Sequence, residues 1–317
     1  GSCLVRYGET VVLCNVTMSE KPREGIDFFP LSVEFEEKLY AVGRIPGSFM
    51  RREGRPGEKA ILTSRVVDRP IRPLFPKEMR NDVCVTMTVM SVDQDCSPEI
   101  AGMIGTSIAL SISEIPWKGP IGGVFMGLVD GQLVVNPTLE QRQNSDLQLT
   151  VAATMNKIVM IEAGANEVDE ATMLEAIKMA HGEIKKIIAF INGIVAEIGK
   201  PKIDFVSMDL DYDLFTKIRA EYLDDFKAAM DTDDKNVRDA RLLPIQDKLE
   251  AEYPDLDDAT VGLIMYKMQK YVVRRWLLDD GKRVDGRGIN EIRPLAAEVG
   301  LLPRVHGSGM FTRGQTQ

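Results

Sequence analysis

Histidine, cysteine and tryptophan are scarce, because the 317 residues include only two histidines, four cysteines and two tryptophans. With His181 and His306 alone, the sequence argues against a histidine-rich metal site or proton relay. The four cysteines show no CxxC spacing and are too few for a disulfide framework. A reducing, cytoplasmic compartment is therefore the simpler expectation.

Long apolar runs are also missing. No run approaches the ~18 to 20 residues of a membrane span, and residues 1–20 lack a basic stretch followed by an apolar one. We expect a soluble chain with no membrane partner and no visible export signal.

Several motifs of nucleotide and metal chemistry are absent. There is no GxxxxGK(S/T) loop and no GxGxxG after a strand, which argues against nucleotide hydrolysis and dinucleotide redox chemistry. Asp209, Asp211 and Asp213 alternate as in a calcium loop, but the required glycine and closing glutamate are missing, which favours a solvated face. No set of nucleophile, base and orienting residue emerges. We expect no catalytic residue and no metal ligand in this chain.

What is present is an ordinary globular composition with unevenly distributed charge. Hydrophobic residues make up 44% and charged residues 27%, and the length corresponds to about two domains. The net charge is −9, yet residues 44–77 contain nine basic and three acidic side chains. Residues 205–258 contain seven basic and sixteen acidic side chains. One surface should therefore attract anions and another repel them.

Hydrophobic periodicity predicts mixed α and β structure in the first two-thirds of the chain. Residues 10–17 and 82–92 are rich in β-branched side chains and are predicted strands. Asp130-Gly131 and residues 155–157 each separate two apolar segments, as in hairpins. The sheet structure should therefore be largely antiparallel.

Helices are predicted from capping residues and helical spacing. Ser97 and Pro98 begin a helix whose isoleucines recur every four residues, and a longer helix follows Asp169 and ends at Gly199. After Pro201 only helical spacing with acidic polar faces remains. The expected fold class is α+β: a mixed, largely antiparallel sheet with packed helices, followed by a small all-α domain.

A glycine-rich segment divides the chain further. Residues 279–288 contain three glycines and alternating charges, which is typical of an exposed connector. We predict a first domain over 1–203, an acidic helical domain over 204–278, a linker over 279–288, and the beginning of another domain over 289–317.

The two ends of the chain resemble one another. Residues 1–10 (GSCLVRYGET) align with residues 307–316 (GSGMFTRGQT) at an offset of 306. Duplication of a whole domain would explain this match, and so would chance together with a Gly-Ser left by an expression tag. If the duplication is real, we expect the chain to be a fragment that starts inside one copy and stops inside the next.

Residues 43–59 form the first candidate site. This stretch contains four glycines and two prolines, so it should be a loop. Exposed Phe49 and Met50 beside Arg51 and Arg52 would offer single-stranded nucleic acid an apolar face for a base and guanidinium groups for phosphates. The alternative is a solvated loop whose Phe49 packs into the core.

Residues 68–76 (DRPIRPLFP) form the second candidate site. The prolines predict an extended backbone that holds Arg69 and Arg72 three residues apart. These arginines could bind phosphate, or Asp68 could pair an arginine beneath the basic stretch, and a mixture of both is favoured. The side chain of Arg287, within the connector, would contact either bound RNA or only solvent.

These stretches closely resemble the bacterial polynucleotide phosphorylase (polyribonucleotide nucleotidyltransferase) family. The resemblance covers essentially the whole chain. It is carried by residues 27–31 (DFFPL), 43–56 (GRIPGSFMRREGRP), 68–76, 119–122 (GPIG), 136–138 (NPT), 284–287 (VDGR) and 302–317.

The resemblance implies a first RNase PH-like core domain without its initial strands, a helical domain, and the start of a second RNase PH-like core. It implies a homotrimeric ring that threads single-stranded RNA and uses inorganic phosphate to release nucleoside diphosphates from the 3′ end, reversibly, in cytoplasmic mRNA degradation and RNA processing. Magnesium assists, and further partners would be members of an RNA-degradation complex. The family's phosphate-binding serines and magnesium-binding aspartates lie in the second core beyond Gln317, so this fragment alone is expected to be inactive.

The family's channel loop carries two aromatics and two arginines, whereas this chain has methionine at the second aromatic position. One ring for stacking is therefore lost, and the arginine contacts are kept. The favoured hypothesis is the RNA-gripping, ring-forming half of a phosphorolytic 3′–5′ exoribonuclease, and the alternative is a non-catalytic RNA-binding or scaffold protein of the same architecture. The expected RNA-binding residues are Phe49, Met50, Arg51, Arg52, Arg55, Arg69, Arg72 and Arg287.

Overall fold

A computed structural model describes residues 1–47 and 49–317. The chain forms two compact units, Gly1–Met208 and Asp209–Gln317. None of the helices among the described residues is long and apolar enough to cross a membrane. The finer division of the second unit into helical domain, linker and following domain stays a prediction.

The first sheet of the first unit has four strands in the order β1-β2-β4-β3. All neighbours are antiparallel except β3 and β4, which run parallel. The predicted alternation in the fourth strand is confirmed, because Val83, Val85, Met87 and Val89 are all buried. The strands are β1 (Ser2–Tyr7), β2 (Thr10–Pro22), β3 (Leu31–Glu37) and β4 (Asn81–Ser91).

Two helices pack on this sheet, α1 (Glu58–Ile71) and α2 (Pro98–Ile112). α1 joins β3 to β4, and a helical crossover of this kind lets consecutive strands run parallel. The predicted start of α2 is confirmed, since the Ser97 hydroxyl accepts the Glu99 backbone N–H at 3.2 Å. α2 lies close to the sheet at Gly105, where a Cβ would stand 2.5 Å from the sulfur of Cys14.

The predicted extended backbone over residues 68–76 is wrong. α1 continues through Pro70 to Ile71, and a 3-10 helix follows at Arg72–Leu74. A proline inside a helix costs about 3 kcal/mol, whereas each buried aliphatic side chain contributes about 1.5–3 kcal/mol. Because Val66, Val67 and Ile71 are all buried in the core, packing outweighs the local preference of proline.

The second sheet is wholly antiparallel, in the order β6-β5-β7-β8. Both predicted hairpins are confirmed, and Asp130 and Gly131 take the positive φ angles, 49° and 74°, that a tight two-residue turn requires. The elements are β5 (Gly122–Val129), β6 (Gln132–Val135), α3 (Leu139–Gln143), β7 (Leu147–Ala153), β8 (Ile158–Ala165) and α4 (Glu170–Ile198).

The long helix α4 has the predicted ends. The Asp169 carboxylate accepts the Thr172 backbone N–H at 2.9 Å, and the C-cap is Gly199. α4 packs against the second sheet through a buried row formed by Ala176, Ala180, Ile184 and Ile188. Alanines therefore share the buried stripe with isoleucines.

The second unit contains the predicted helical module. Its helices are α5 (Tyr212–Met230), α6 (Lys235–Glu252) and α7 (Asp258–Arg275), followed by a π-helical turn at Trp276–Asp280. Each of the three helices begins at an aspartate whose carboxylate accepts backbone N–H groups. Some of the acidic residues in this segment therefore serve as helix caps. The capping residues are Asp211, Asp234 and Asp257.

A two-stranded sheet ends the described chain, with β9 (Leu295–Val299) antiparallel to β10 (Gly309–Arg313). The turn after β10 has the same local structure as the turn after β1. Gly8 and Gly314 both take positive φ angles, 58° and 61°. Tyr7 pairs with Thr10, and Arg313 pairs with Thr316. The match at an offset of 306 is thus present in the backbone as well as in the sequence.

Candidate nucleic-acid interface

The basic loop, residues 43–57, joins the 3-10 helix Leu39–Val42 to α1. Apart from Ser48, which lies outside the described residues, it contains no helix or strand. Phe49 is 100% exposed and Met50 is 60% exposed. The alternative in which Phe49 packs into the core is therefore wrong, and an apolar surface suited to a base faces solvent.

The arginines of the basic loop face solvent as well. Arg44, Arg51, Arg52 and Arg55 are exposed, and none of them forms an ion pair or a side-chain hydrogen bond with another described residue. Their guanidinium groups are consequently available for phosphate, which they can bind through two parallel N–H donors.

An acidic side chain anchors the basic loop. One carboxylate oxygen of Glu53 accepts the backbone N–H of Leu39 at 2.7 Å, and the other lies 3.5 Å from the ammonium of Lys38. Lys38 also pairs with Glu36 at 2.8 Å, and this hydrogen bond raises the pKa of Lys38 above its usual value. An open cleft of about 950 Å³ lies between the loop and the end of β3.

The arginines of the second candidate site have internal partners. Arg72 pairs with Asp68 at 2.7 Å and donates to the Leu31 carbonyl at 2.9 Å. Arg69 pairs with Glu162 of β8 at 2.7 Å. Of the two roles predicted for this stretch, the pairing of Asp68 with an arginine is the one that the structure shows. Phosphate binding by Arg69 and Arg72 stays a prediction.

Arg287, in the second unit, is not left in solvent. Its guanidinium group pairs with the Asp285 carboxylate and donates to the Glu291 carbonyl at 3.1 Å. The side chain is only 12% exposed. The hydrogen bond from Arg287 lowers the pKa of Asp285. Half-buried ion pairs therefore hold this part of the predicted connector, and contact of Arg287 with RNA stays a prediction.

A second cavity, of about 400 Å³, lies in the first unit among α1, α2, β7 and β8. Its charged lining includes Lys59, Glu99, Arg142 and Glu162. Burial and the negative charge of Glu162 raise the pKa of Glu99 to about 7, while Lys59 opposes the shift. This cavity could not be predicted from the sequence, because its walls come from segments that are far apart along the chain.

Two of the alternating aspartates and one of the two histidines have structural contacts. Asp211 caps α5, and Asp209 forms an ion pair with Lys267. The Nε2 atom of His181 lies 3.0 Å from the Thr154 carbonyl oxygen, and His306 is exposed. Among residues 1–47 and 49–317 no group of three or more His, Cys, Asp or Glu side chains could hold a metal ion.

Family models match most of the chain. Residues 1–116 match domain 1 of the 3′ exoribonuclease family, and residues 119–183 match domain 2 of that family. Together these two matches cover more than half of the chain. Residues 213–288 match the RNA-binding domain of polyribonucleotide nucleotidyltransferase.

Curated relatives match the whole chain. Polyribonucleotide nucleotidyltransferases from Ruminiclostridium cellulolyticum, Lachnoclostridium phytofermentans and Heliobacterium modesticaldum are 56%, 54% and 53% identical to it. Each alignment covers 100% of this chain but only 46%, 46% and 45% of the relative. The chain therefore spans about half the length of the curated relatives that it matches.

Proposed function

We propose, from the premise that this chain belongs to the 3′ exoribonuclease family, that it is the RNA-gripping and ring-forming half of a phosphorolytic 3′–5′ exoribonuclease. The observation that carries the proposal is the basic loop, in which a fully exposed Phe49 stands beside Arg51 and Arg52, which are exposed and form no ion pair with another described residue. The relatives' name, polyribonucleotide nucleotidyltransferase, supports a reaction that transfers nucleotidyl groups.

The reaction that we propose for the whole protein is reversible phosphorolysis. An oxygen of inorganic phosphate attacks the phosphorus of the 3′-terminal phosphodiester, and the bond from that phosphorus to the preceding 3′ oxygen breaks. A nucleoside diphosphate leaves, and the shortened RNA keeps a 3′ hydroxyl. In the reverse direction a nucleoside diphosphate adds to the 3′ hydroxyl and phosphate is released.

The chain's own part in this reaction is to hold the RNA. Arg51 and Arg52 would bind phosphates, with Arg55 beside them, and the ring of Phe49 would stack on a base without regard to its identity. A stacked base contributes about 1–3 kcal/mol. Met50 would cover the edge of a base but offers no ring, so we expect one stacking position in the loop.

Among the described residues no group of three or more His, Cys, Asp or Glu side chains could hold magnesium. We therefore derive no step through that ion and attribute its use, which the family resemblance implies, to the whole protein. Assembly as a homotrimer, location in the cytoplasm and association with an RNA-degradation complex belong to the same proposal for the whole protein.

The test is decay of a labelled single-stranded RNA with magnesium present and inorganic phosphate added or omitted. Products are separated into nucleoside diphosphates and monophosphates. For the whole protein we expect diphosphates that appear only with phosphate, and monophosphates formed without phosphate would contradict phosphorolysis. For the chain of 317 residues we expect RNA binding without turnover. Absence of RNA binding by this chain would contradict its gripping role.

A further inference from the structure

Among the described residues, one side chain links the basic loop to the rest of the protein through polar contacts. Within residues 1–47 and 49–317, the Glu53 carboxylate forms the only hydrogen bond and ion pair that join residues 45–56 to other parts of the chain. The next polar attachments are backbone hydrogen bonds at either end, from the Arg44 N–H to the Leu39 carbonyl and from the Ile61 N–H to the Gly57 carbonyl.

The hydrogen bond to Glu53 also caps the first residue of the 3-10 helix Leu39–Val42. Leu39 is the first residue of the 3-10 helix Leu39–Val42, and the N-cap residue Lys38 supplies no side-chain hydrogen bond to it. The N–H groups at the start of a helix lack partners within the helix. Glu53, fourteen residues further on, accepts the Leu39 N–H at 2.7 Å. The cap of this helix and the anchor of the loop are therefore one interaction.

The anchor lies directly beside the side chains that we propose to contact RNA. Glu53 follows Arg51 and Arg52 in the chain. A flexible loop loses conformational freedom when it grips a ligand, and a loop that is already held loses less. Holding the backbone at residue 53 therefore reduces the number of positions that the neighbouring guanidinium groups can adopt before RNA arrives.

We propose that Glu53 is a positioning residue, which holds the basic loop so that Arg51, Arg52 and Phe49 meet the RNA in a fixed arrangement. This inference rests on the RNA-binding role proposed above. It concerns the hydrogen bond from Leu39 N–H to the Glu53 side chain, not the negative charge of Glu53.

The charge and the hydrogen bond of Glu53 have opposite expected effects on RNA binding. A carboxylate beside two arginines repels RNA phosphates, so a role through charge alone predicts tighter binding when the carboxylate is removed. A positioning role predicts weaker binding when the hydrogen bond is removed. The direction of the change therefore separates the two explanations.

The experiment compares three variants at Glu53 by titrating a labelled single-stranded oligoadenylate with the chain of 317 residues. Glu53→Ala removes both the charge and the hydrogen bond. Glu53→Asp keeps the charge on a side chain too short to reach Leu39. Glu53→Gln removes the charge but keeps an oxygen that can accept the Leu39 N–H. We expect about fivefold to tenfold weaker binding for the first two variants and no loss for the third.

The matched control is Glu37→Ala. Glu37 lines the same cleft and is exposed, and it forms no ion pair or side-chain hydrogen bond with another described residue. We expect this variant to bind RNA as tightly as the parent chain or more tightly. The melting temperatures of Glu37→Ala and Glu53→Gln, measured by circular dichroism, should be the same. The affinities are then compared between folded proteins.

Two results would overturn the positioning role. One is binding by Glu53→Ala that equals or exceeds that of the parent chain, as expected for Glu37→Ala. The other is a loss in Glu53→Gln as large as that in Glu53→Ala. If replacing Arg51 and Arg52 weakens binding while Glu53→Ala does not, only the positioning role fails. If replacing both arginines has no effect, the proposed RNA-binding role of the loop fails first.

Discussion

Replacing Arg51 and Arg52 together by alanine should weaken the binding of single-stranded RNA and reduce its dependence on salt. Both guanidinium groups are exposed and have no partner among the other described residues. Their removal therefore breaks no ion pair or side-chain hydrogen bond with another described residue, and the folded state should keep its stability. A change in affinity can then be assigned to lost contacts with RNA.

The magnitude follows from counterion release. Each phosphate that a protein neutralises on a single strand contributes about 0.7 to the slope of log K against log salt, so two lost contacts reduce the slope by about 1.4. Between roughly 50 and 200 mM salt, this change corresponds to about a sevenfold smaller loss of affinity. If each exposed contact contributes about 1 kcal/mol, binding at low salt weakens roughly thirtyfold.

Fluorescence anisotropy of a labelled oligoadenylate, titrated at several salt concentrations, measures both quantities. The matched control replaces Lys178 and Lys185 by alanine, since both are exposed and unpaired on α4 among the described residues. The control removes the same charge from the same unit and should keep the slope of the parent chain. An unchanged slope in the arginine variant would refute the placement of the basic loop on the RNA path.

Three further variants test stacking, helix capping and the raised pKa of Glu99. Phe49→Ala should weaken RNA binding by about 1–3 kcal/mol and leave the salt slope unchanged, because a ring contacts a base and not a phosphate. Lys202→Ala should lower stability by about 1–3 kcal/mol in thermal unfolding, since its ammonium donates to three carbonyls at the C-terminal end of α2, at 2.6, 2.7 and 3.1 Å. Glu99 has a pKa of about 7, raised from 4.5, so the parent chain should lose stability as pH rises from about 4.5 to about 7. Glu99→Gln should remove about 1–2 kcal/mol of that loss, a value reduced to allow for partial exposure.

Each of these predictions has a result that would contradict it. Equal losses of RNA binding in Phe49→Ala and in Ile45→Ala, which removes an exposed aliphatic side chain from the same loop, would argue against base stacking. An unchanged melting temperature in Lys202→Ala would show that water replaces its ammonium at the helix end. If the stability of Glu99→Gln changed with pH in the same way as that of the parent chain, a group other than Glu99 would cause the change.

Local patterns in the sequence predicted most of the elements. Alternation in β4, the Asp130-Gly131 turn and the capping residues Ser97 and Asp169 each depend on neighbours within a few residues, and all four were confirmed. The exposed basic loop could also be predicted, because four glycines and two prolines within residues 43–59 disfavour regular structure.

The misses come from contacts between distant segments. Pro70 stays helical because the core buries α1 around it, and no local preference contains that information. Glu99 and Glu162 line one cavity only because α2 and β8 lie side by side in the fold. The ion pair of Arg287 with Asp285, by contrast, joins residues only two positions apart, so the sequence alone could have suggested it. The alternating charges of that segment could have been interpreted as an ion-pair network.

The anchor of the basic loop at Glu53 has a mechanical consequence. If RNA binds as proposed, tension on the RNA pulls on Arg51 and Arg52, and part of that load reaches the folded body through the side chain of the next residue, Glu53. The load then passes to Leu39 and Lys38, at the end of β3, whose hydrogen bonds to β4 resist displacement along the whole strand. Tension on the RNA would therefore act on the end of β3 as well as on the backbone of the loop.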